Sequence, residues 1–532
     1  MLTKIHIQNY RAFENFTLEF SAGLNVIVGD NDAGKSTLLE AVNLALTSRL
    51  RGRLLASELS PHLFNHVATA SYIEAVAEGK NPAPPEIVID LFLEESEDTA
   101  SLKGTNNISL ENVPGLRLRV GFWEEFAQEY ANFIASTDQL TLIPTEYYRV
   151  EWLSFAGNPV TARGVPASAS MIDASVIRLQ SGADHYLQQI ITDHLDPKQR
   201  VEIARAYRSL RETFTGNAAI AAINVELAAT QEDLTDRELS LAIDISGRAS
   251  WESNLVPHLD DLPCQFVGSG AQNMLKVLLA LNRTAEACHV VLIEEPENHQ
   301  SPASLNALVA KIADRCEGKQ VLVTTHSSFV LNKLGLDRLV LLGHSTGLRL
   351  TDLPADTLDY FKKLPGYDTL RVALAKRIIL VEGPSDELVV QRAFRDAHGK
   401  LPLELGVDVI SVRGLSFRRF LDIALPLEQS VEVVLDNDGN DPADMRQRYA
   451  EYLKSPHIRL HIGDPGEGHT LEPQLVTSCD SETLNGLLGT SFPVDAELAE
   501  YMLKNKTACA LKIFEYAGNL TLPQYIRDAV AG

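Results

Sequence analysis

The sequence predicts an α/β chain with two largely parallel sheets, separated by a boundary at residues 351–370. Three observations predict it. Short apolar strands alternate with helical segments in both parts, the pattern of parallel sheets flanked by helices. A glycine-rich turn joins an apolar strand to a helix near the start of the chain. Finally, the polar, Pro/Gly-containing stretch DLPADTLDYFKKLPGYD interrupts the alternation before it restarts.

The elements follow in order. Leu2 to Ile7 alternates like a half-buried strand, and Leu24 to Val28 is a short apolar strand. After the glycine-rich turn, a helix is expected from Lys35 through SRLRGRLL. EGKNPAPPE reads as a loop, IVIDLFLEE as a strand, and residues 96–115 as a solvent-facing loop. From Met171 to Thr230, HYLQQIITDHL, RVEIARAYRSLRETF and AAIAAINVELAAT have helical apolar spacing and read as a helical insertion. ELSLAIDI, HVVLIEE and QVLVTTH are the next strands, with AQNMLKVLLAL a helix between the first two. Beyond the boundary, RIILVEG, VDVISV, VEVVLDND and IRLHIG are strands separated by helices.

Composition limits the function classes. The 532 residues are 45% hydrophobic and 22% charged, which is globular and not disordered. Lys and Arg number 47 against 71 Asp and Glu, a net charge of −24, and neither part is basic. Such a chain makes a poor nonspecific polyanion binder, so a nucleic-acid role needs local arginines or bridging cations. The five cysteines have no CxxC or zinc spacing and read as thiols of a reducing compartment. The opening residues lack an apolar signal region, and no run of about 18 apolar residues occurs. A cytoplasmic protein with no membrane partner is expected.

Gly29-Asp-Asn31-Asp-Ala-Gly34-Lys35-Ser36 matches GxxxxGK[ST] between an apolar strand and a helix. Its backbone N–H groups would wrap phosphates at a helix N-terminus, which Thr37 continues. Lys35 would reach the β- and γ-phosphates of ATP and the Ser36 hydroxyl would ligate Mg²⁺. His289-Val-Val-Leu-Ile-Glu294-Glu295 is an apolar strand ending in two acids. Glu294 is placed to contact Mg²⁺, and Glu295 to orient the attacking water. A third strand ends at His326, within reach of a γ-phosphate. Ser269, Gly270 and Gln272 open the helix before the acidic strand and form a second anion cradle, one that would face the nucleotide of another copy.

The second part carries its own acids. Glu382 ends an apolar strand and Asp386 lies on the first turn of the next helix; Asp436 and Asp438 end another apolar strand. Parallel strands deliver both pairs to one carboxyl edge. Four carboxylates there repel one another unless cations intervene, and hard oxygen ligands suit Mg²⁺ or Mn²⁺. Two such ions can activate water and stabilise the leaving oxygen of a phosphodiester. Acids that merely cap helices at strand ends are the alternative.

The first set of motifs resembles the ABC-type ATPases of recombination and chromosome maintenance, with Glu294 where Asp is usual. VEGPSD with LDND resembles a Toprim domain, and the two together resemble the OLD (overcoming lysogenization defect) family, including its Gabija type. That resemblance implies an N-terminal ABC-type ATPase domain, residues 1–164 and 239–360, with a helical dimerisation insertion at 165–238. A C-terminal Toprim α/β domain is implied at 370–532. It also implies Glu472 as a further metal ligand and Lys506 as a lysine steadying the scissile phosphate.

The expected function is therefore an ATP-binding, Mg²⁺- or Mn²⁺-dependent DNA endonuclease of antiphage defence. It is expected as a homodimer or higher oligomer, with a helicase-like partner implied by the Gabija type. The first alternative is a DNA-repair ATPase whose Toprim domain binds DNA or acts like a topoisomerase through Tyr449 or Tyr452. The second is a nucleotide-switch scaffold without catalysis. Two arginine clusters are candidate DNA contacts: Arg49, Arg51 and Arg53, and Arg413, Arg418 and Arg419.

Overall fold

The structure is a computed structural model. It describes the chain except residues 30–32, 137–139, 163, 174–194, 230–240, 242–250, 252–257, 283–289, 316–317, 328–329, 331–337, 344–346, 364–370, 372–374, 376, 413–415 and 532. Two compact units are present: Met1–Pro166 with Leu322–Gly532, and Ala167–Val321.

In the first unit, β1 (Leu2–Tyr10) pairs antiparallel with β2 (Phe13–Glu19). The fully buried β3 (Leu24–Val28) leads through the glycine-rich turn to α1 (Lys35–Thr47). That helix stops at Thr47, short of the expected SRLRGRLL, because Ser48 takes a left-handed φ of 53° and its N–H closes onto Leu44. Arg49–Leu50 and Arg53–Leu54 pair instead as a small hairpin. β4 (Ile87–Leu93) joins β1 on its other side, followed by β5 (Val113–Phe122) and β6 (Tyr148–Ser154), all antiparallel. Residues 96–115 are thus only partly loop. The Asn107 side chain bonds both the amide and the carbonyl of Glu111 (3.1 and 2.7 Å), turning the chain into β5.

In the second unit, β7 (Ala169–Asp173) runs parallel to β8 (Val290–Glu294), with Asp173 opposite Glu294. α2 (Pro197–Thr215) starts at an Asp196–Gln199 capping box, and α3 (Ala218–Ala229) follows. Both lie in the expected helical insertion; HYLQQIITDHL and ELSLAIDI fall almost entirely outside the described residues. α4 (Ser269–Asn282) and α5 (Pro302–Arg315) flank β8 in sequence.

β9 (Gln320–Thr324) returns the chain to the first unit, where the Thr325 amide donates to the Ile27 carbonyl at 3.1 Å. β10 (Leu339–Leu342) pairs parallel with β3, and β11 (Gly347–Arg349) pairs antiparallel with β10. The polar boundary stretch includes α6 (Ala355–Lys363). Four parallel strands then form one sheet: β12 (Arg377–Val381), β13 (Val407–Ser411), β14 (Ser430–Leu435) and β15 (Ile458–Ile462). Their order is β13-β12-β14-β15, so β12 and β14 are the central neighbours. Helices α7 (Pro384–His398), α8 (Phe417–Ala424) and α9 (Pro442–Arg448) follow the first three strands. Later helices include α10 (Leu471–Ser478), α11 (Lys506–Glu515) and α12 (Gln524–Ala531), with helices Ser481–Leu488 and Asp495–Lys504 between the first two. Ile379, Val381, Val389, Phe394, Val434, Leu475 and Ile526 share one buried core, each side chain contributing roughly 1.5–3 kcal/mol. Among the described residues no helix is long and apolar enough to cross a membrane.

Candidate functional site

The phosphate loop lies in the first unit. Gly34 sits at φ 89°, and an added Cβ would come 2.6 Å from the Phe13 ring, so position 34 needs glycine for both conformation and space. Gly34→Ala is expected to cost about 1–3 kcal/mol and to weaken nucleotide binding, read by chemical denaturation and nucleotide titration. Lys35 is buried at 4% exposure, and its Nζ donates to the Gly29 carbonyl at 2.9 Å, folded over its own loop. Ser36 is exposed and Thr37 is buried on the first turn of α1. Asn31 lies outside the described residues. His326 follows β9 and is half-buried.

The remaining ATPase candidates lie in the second unit. Ser269, Gly270 and Gln272 form the first turn of α4, and Gln272 Nε2 donates to the Val267 carbonyl at 2.7 Å. A Cβ on Gly270 would meet the His299 carbonyl at 2.6 Å, and Gln300 donates to the Gly270 carbonyl at 2.7 Å. The start of α4 is therefore pressed against the Glu297–Gln300 turn. Glu294 ends β8, while Glu295 takes a left-handed φ of 45° and accepts from Asn298 at 2.9 Å. A non-glycine residue held there is strain kept by its surroundings, common where geometry serves chemistry.

The acids of the parallel sheet gather at its carboxyl edge. Glu382 follows β12, and its Oε1 accepts from the Asp436 amide at 3.2 Å, joining the two central strand ends. Asp386, on the first turn of α7, accepts from the Gly383 amide at 2.9 Å. Asp436 is held on both oxygens: Oδ2 accepts from the Leu471 amide (3.0 Å) and Oδ1 from the Tyr525 hydroxyl (3.2 Å). Asp438 has φ 47° and donates its amide to the His469 carbonyl at 2.9 Å. Glu472 lies on the first turn of α10 at 3% exposure; its Oε1 is 3.5 Å from Lys506 Nζ, and its buried Oε2 has no hydrogen-bond partner.

Electrostatics confirm the crowding. Burial, then Asp386 and Asp438, pushes Glu382 up to about 7. Burial also raises Asp386 to about 6, against the backbone N–H donors that oppose it. Burial, then Asp386 and Glu382, raises Asp436 to about 8. Among the described residues no three His, Cys, Asp or Glu side chains stand ready to hold one ion as placed. The donor set nevertheless fits a hard cation, because it is all carboxylate and includes the orphaned Glu472 oxygen.

A pH dependence follows. The three acids are raised above their unfolded values of about 4, so their stabilising contribution is full below that pH and is lost as pH rises through 6 to 8. The metal-free protein is expected to melt lower at pH 8 than at pH 6. Asp436→Asn should flatten that difference, and Mg²⁺ should raise the melting temperature more at pH 8 than at pH 6.

Other candidates are placed differently. Arg53 pairs with Glu58 at 2.9 Å and Arg49 bonds the Gly52 carbonyl, so both are engaged locally. Arg419 donates to the Asp356 carbonyl and lies 3.7 Å from the Asp356 carboxylate, while Arg413 lies outside the described residues. Tyr452 donates to Asp422 at 2.6 Å, and burial first, then Asp422, raises its pKa. Tyr449 is raised too, chiefly by burial.

Tyr525 and Asn437 are site residues beyond those expected from the sequence. Nothing in the sequence near Tyr525 marks it as a partner of Asp436, 89 residues earlier. Asn437 was legible as the middle of Asp-Asn-Asp. Fully buried, it donates to the Gly463 and Gly468 carbonyls (3.2 and 2.6 Å) and fixes the loop carrying both acids.

Comparison with known proteins finds three family matches. Residues 374–438 match the overcoming lysogenization defect protein-like TOPRIM domain, residues 4–114 an AAA domain and residues 178–331 an AAA ATPase domain. The endonuclease GajA of Bacillus cereus is 22% identical over 473 residues, 82% of this chain and 75% of that protein. The OLD nuclease of Thermus scotoductus is 24% identical over 470 residues, 78% of this chain and 81% of that protein. The DNA double-strand break repair Rad50 ATPase of Methanopyrus kandleri is 47% identical over 49 residues, and the chain spans only 6% of its length.

Proposed function

Because the chain joins AAA-type ATPase sequence to an OLD-like TOPRIM domain, we propose that it is an ATP-binding, metal-dependent DNA endonuclease. One observation carries the reading: Glu382, Asp386, Asp436, Asp438 and Glu472 lie within one another's electrostatic reach at one sheet edge, with Lys506 3.5 Å from Glu472, and three of them have raised pKa values. A capping acid behaves oppositely. Asp480, an exposed N-cap, is held below the usual carboxylate range by its hydrogen bonds to Thr483. Burying several acids together is unfavourable unless a cation is to be bound.

In this reading the five acids hold two Mg²⁺ or Mn²⁺ ions, which supply water activation and stabilisation of the leaving oxygen. Leu471 N–H and the Tyr525 hydroxyl fix the Asp436 carboxylate. Lys506 Nζ, half-exposed beside Glu472, offers its protons to the phosphate being cut. Lys35, Ser36 and Thr37 bind ATP with Mg²⁺; Glu295 orients the water that hydrolyses it. Ser269, Gly270, Gln272 and His326 contact the nucleotide, with Ser269 serving another copy of the chain. ATP occupancy sets the assembly that cuts, in antiphage defence with a helicase-like partner.

Supercoiled plasmid incubated with Mg²⁺ or Mn²⁺ tests the reading. Persistent nicked or linear DNA is expected, and religated topoisomers would contradict it. Lys35→Ala should weaken ATP binding by roughly 10- to 100-fold, the scale of lost charge-assisted hydrogen bonds, as measured by titration with labelled nucleotide.

A further inference from the structure

Two arginines stand on the helices that follow the carboxyl ends of β13 and β14. Arg418 is exposed on the first turn of α8, which follows the strand beside β12. One guanidinium nitrogen donates to the Arg448 carbonyl at 2.8 Å, and the group lies over the Tyr449 ring, 6.0 Å from its centre. Arg448 is exposed at the end of α9. Among the described residues, neither arginine has an acidic partner. Other arginines of this sheet do: Arg371 pairs with Asp408, and Arg377 and Arg459 pair with Glu432. The charge of Arg418 and Arg448 is therefore not offset by a paired carboxylate.

Tyr449 caps the end of α9, the helix that leads on from Asp436 and Asp438. Its hydroxyl makes no hydrogen bond among the described residues. Burial raises its pKa, Arg418 and Arg448 oppose the rise, and Glu382 adds to it, so the phenol stands within the fields of both arginines and of Glu382. Four of the five guanidinium N–H donors of Arg418 stay available, in the fork geometry that suits a phosphate.

We propose that Arg418 and Arg448, set around Tyr449, grip a backbone phosphate of the DNA strand that is cut at the acids. The acids repel DNA on their own; this contact supplies the local attraction that lets a strand approach them. The inference rests on the nuclease reading for the identity of the strand.

Binding of a labelled DNA duplex, measured by anisotropy in Ca²⁺ over a salt series, tests it. The Arg418→Ala, Arg448→Ala double variant is expected to bind about tenfold or more weakly. Its salt slope should fall by roughly one per arginine removed. Arg418→Lys should restore part of the affinity as a point charge without the fork. Mn²⁺ affinity and thermal stability should match the unaltered protein. An unchanged slope, or Mn²⁺ affinity lost together with DNA affinity, overturns the proposal. The nuclease reading fails separately, if the unaltered protein shows this salt-dependent binding yet leaves plasmid uncut.

Discussion

Replacing Glu382 by Gln is expected to lower plasmid cleavage by at least about a hundredfold while raising, or leaving unchanged, the melting temperature of the metal-free protein. The two effects have one cause. Glu382 ends the central strand and sits among Asp386, Asp436 and Asp438, where its charge is opposed by burial and by its neighbours. Glutamine keeps an oxygen to accept the Asp436 amide, so the strand ends stay joined. Only the charge is removed, and with it a ligand and a source of repulsion. Cleavage gels and thermal melts in chelator read the two effects side by side. A variant that cuts normally contradicts the assignment, whereas a simple misfolding mutant would melt lower.

The second large effect is structural. Arg392 is buried on α7, chelated by both oxygens of Asp396 (2.8 and 2.7 Å). It also donates to the carbonyls of Ile513, Tyr516 and Gly518. Arg392→Ala leaves three carbonyls without their donor and opens a cavity, an expected loss of about 3–5 kcal/mol. Chemical denaturation measures it. Because those carbonyls end α11 and the segment leading to α12, Lys506 and Tyr525 lose their anchoring as well, and cleavage should fall with stability. A loss under about 1 kcal/mol would show that other contacts, such as Arg395 to the Phe514 carbonyl and Lys512 to the Leu488 carbonyl, hold α11 without Arg392.

Both sites were legible where chemistry sits on strand ends. Short apolar runs rich in β-branched residues, such as RIILV and VEVVL, read as buried strands, and parallel pairing brings Glu382 and Asp436 to the same edge. Contacts made across long sequence separations were hidden. Glu472 reads as an ordinary acid until α10 folds it in beside Lys506, and Tyr525 carries no local pattern at all. Arg418 and Arg419 are equal in sequence, yet α8 turns one toward Tyr449 and the other toward Asp356. The helix expected through SRLRGRLL stops at Ser48 because a local left-handed turn overrides propensity.

The central claim is that the acids at this sheet edge are a cation site. Calorimetric titration of Mn²⁺ at pH 7 to 8, in buffers of differing ionisation enthalpy, tests it most directly. Saturable binding with release of protons is expected, since burial and neighbouring carboxylates push Glu382 up to about 7 and Asp436 up to about 8. Glu382→Gln should weaken that binding and reduce the protons released. Absence of binding, or binding with no proton release and no response to Glu382→Gln, would contradict it.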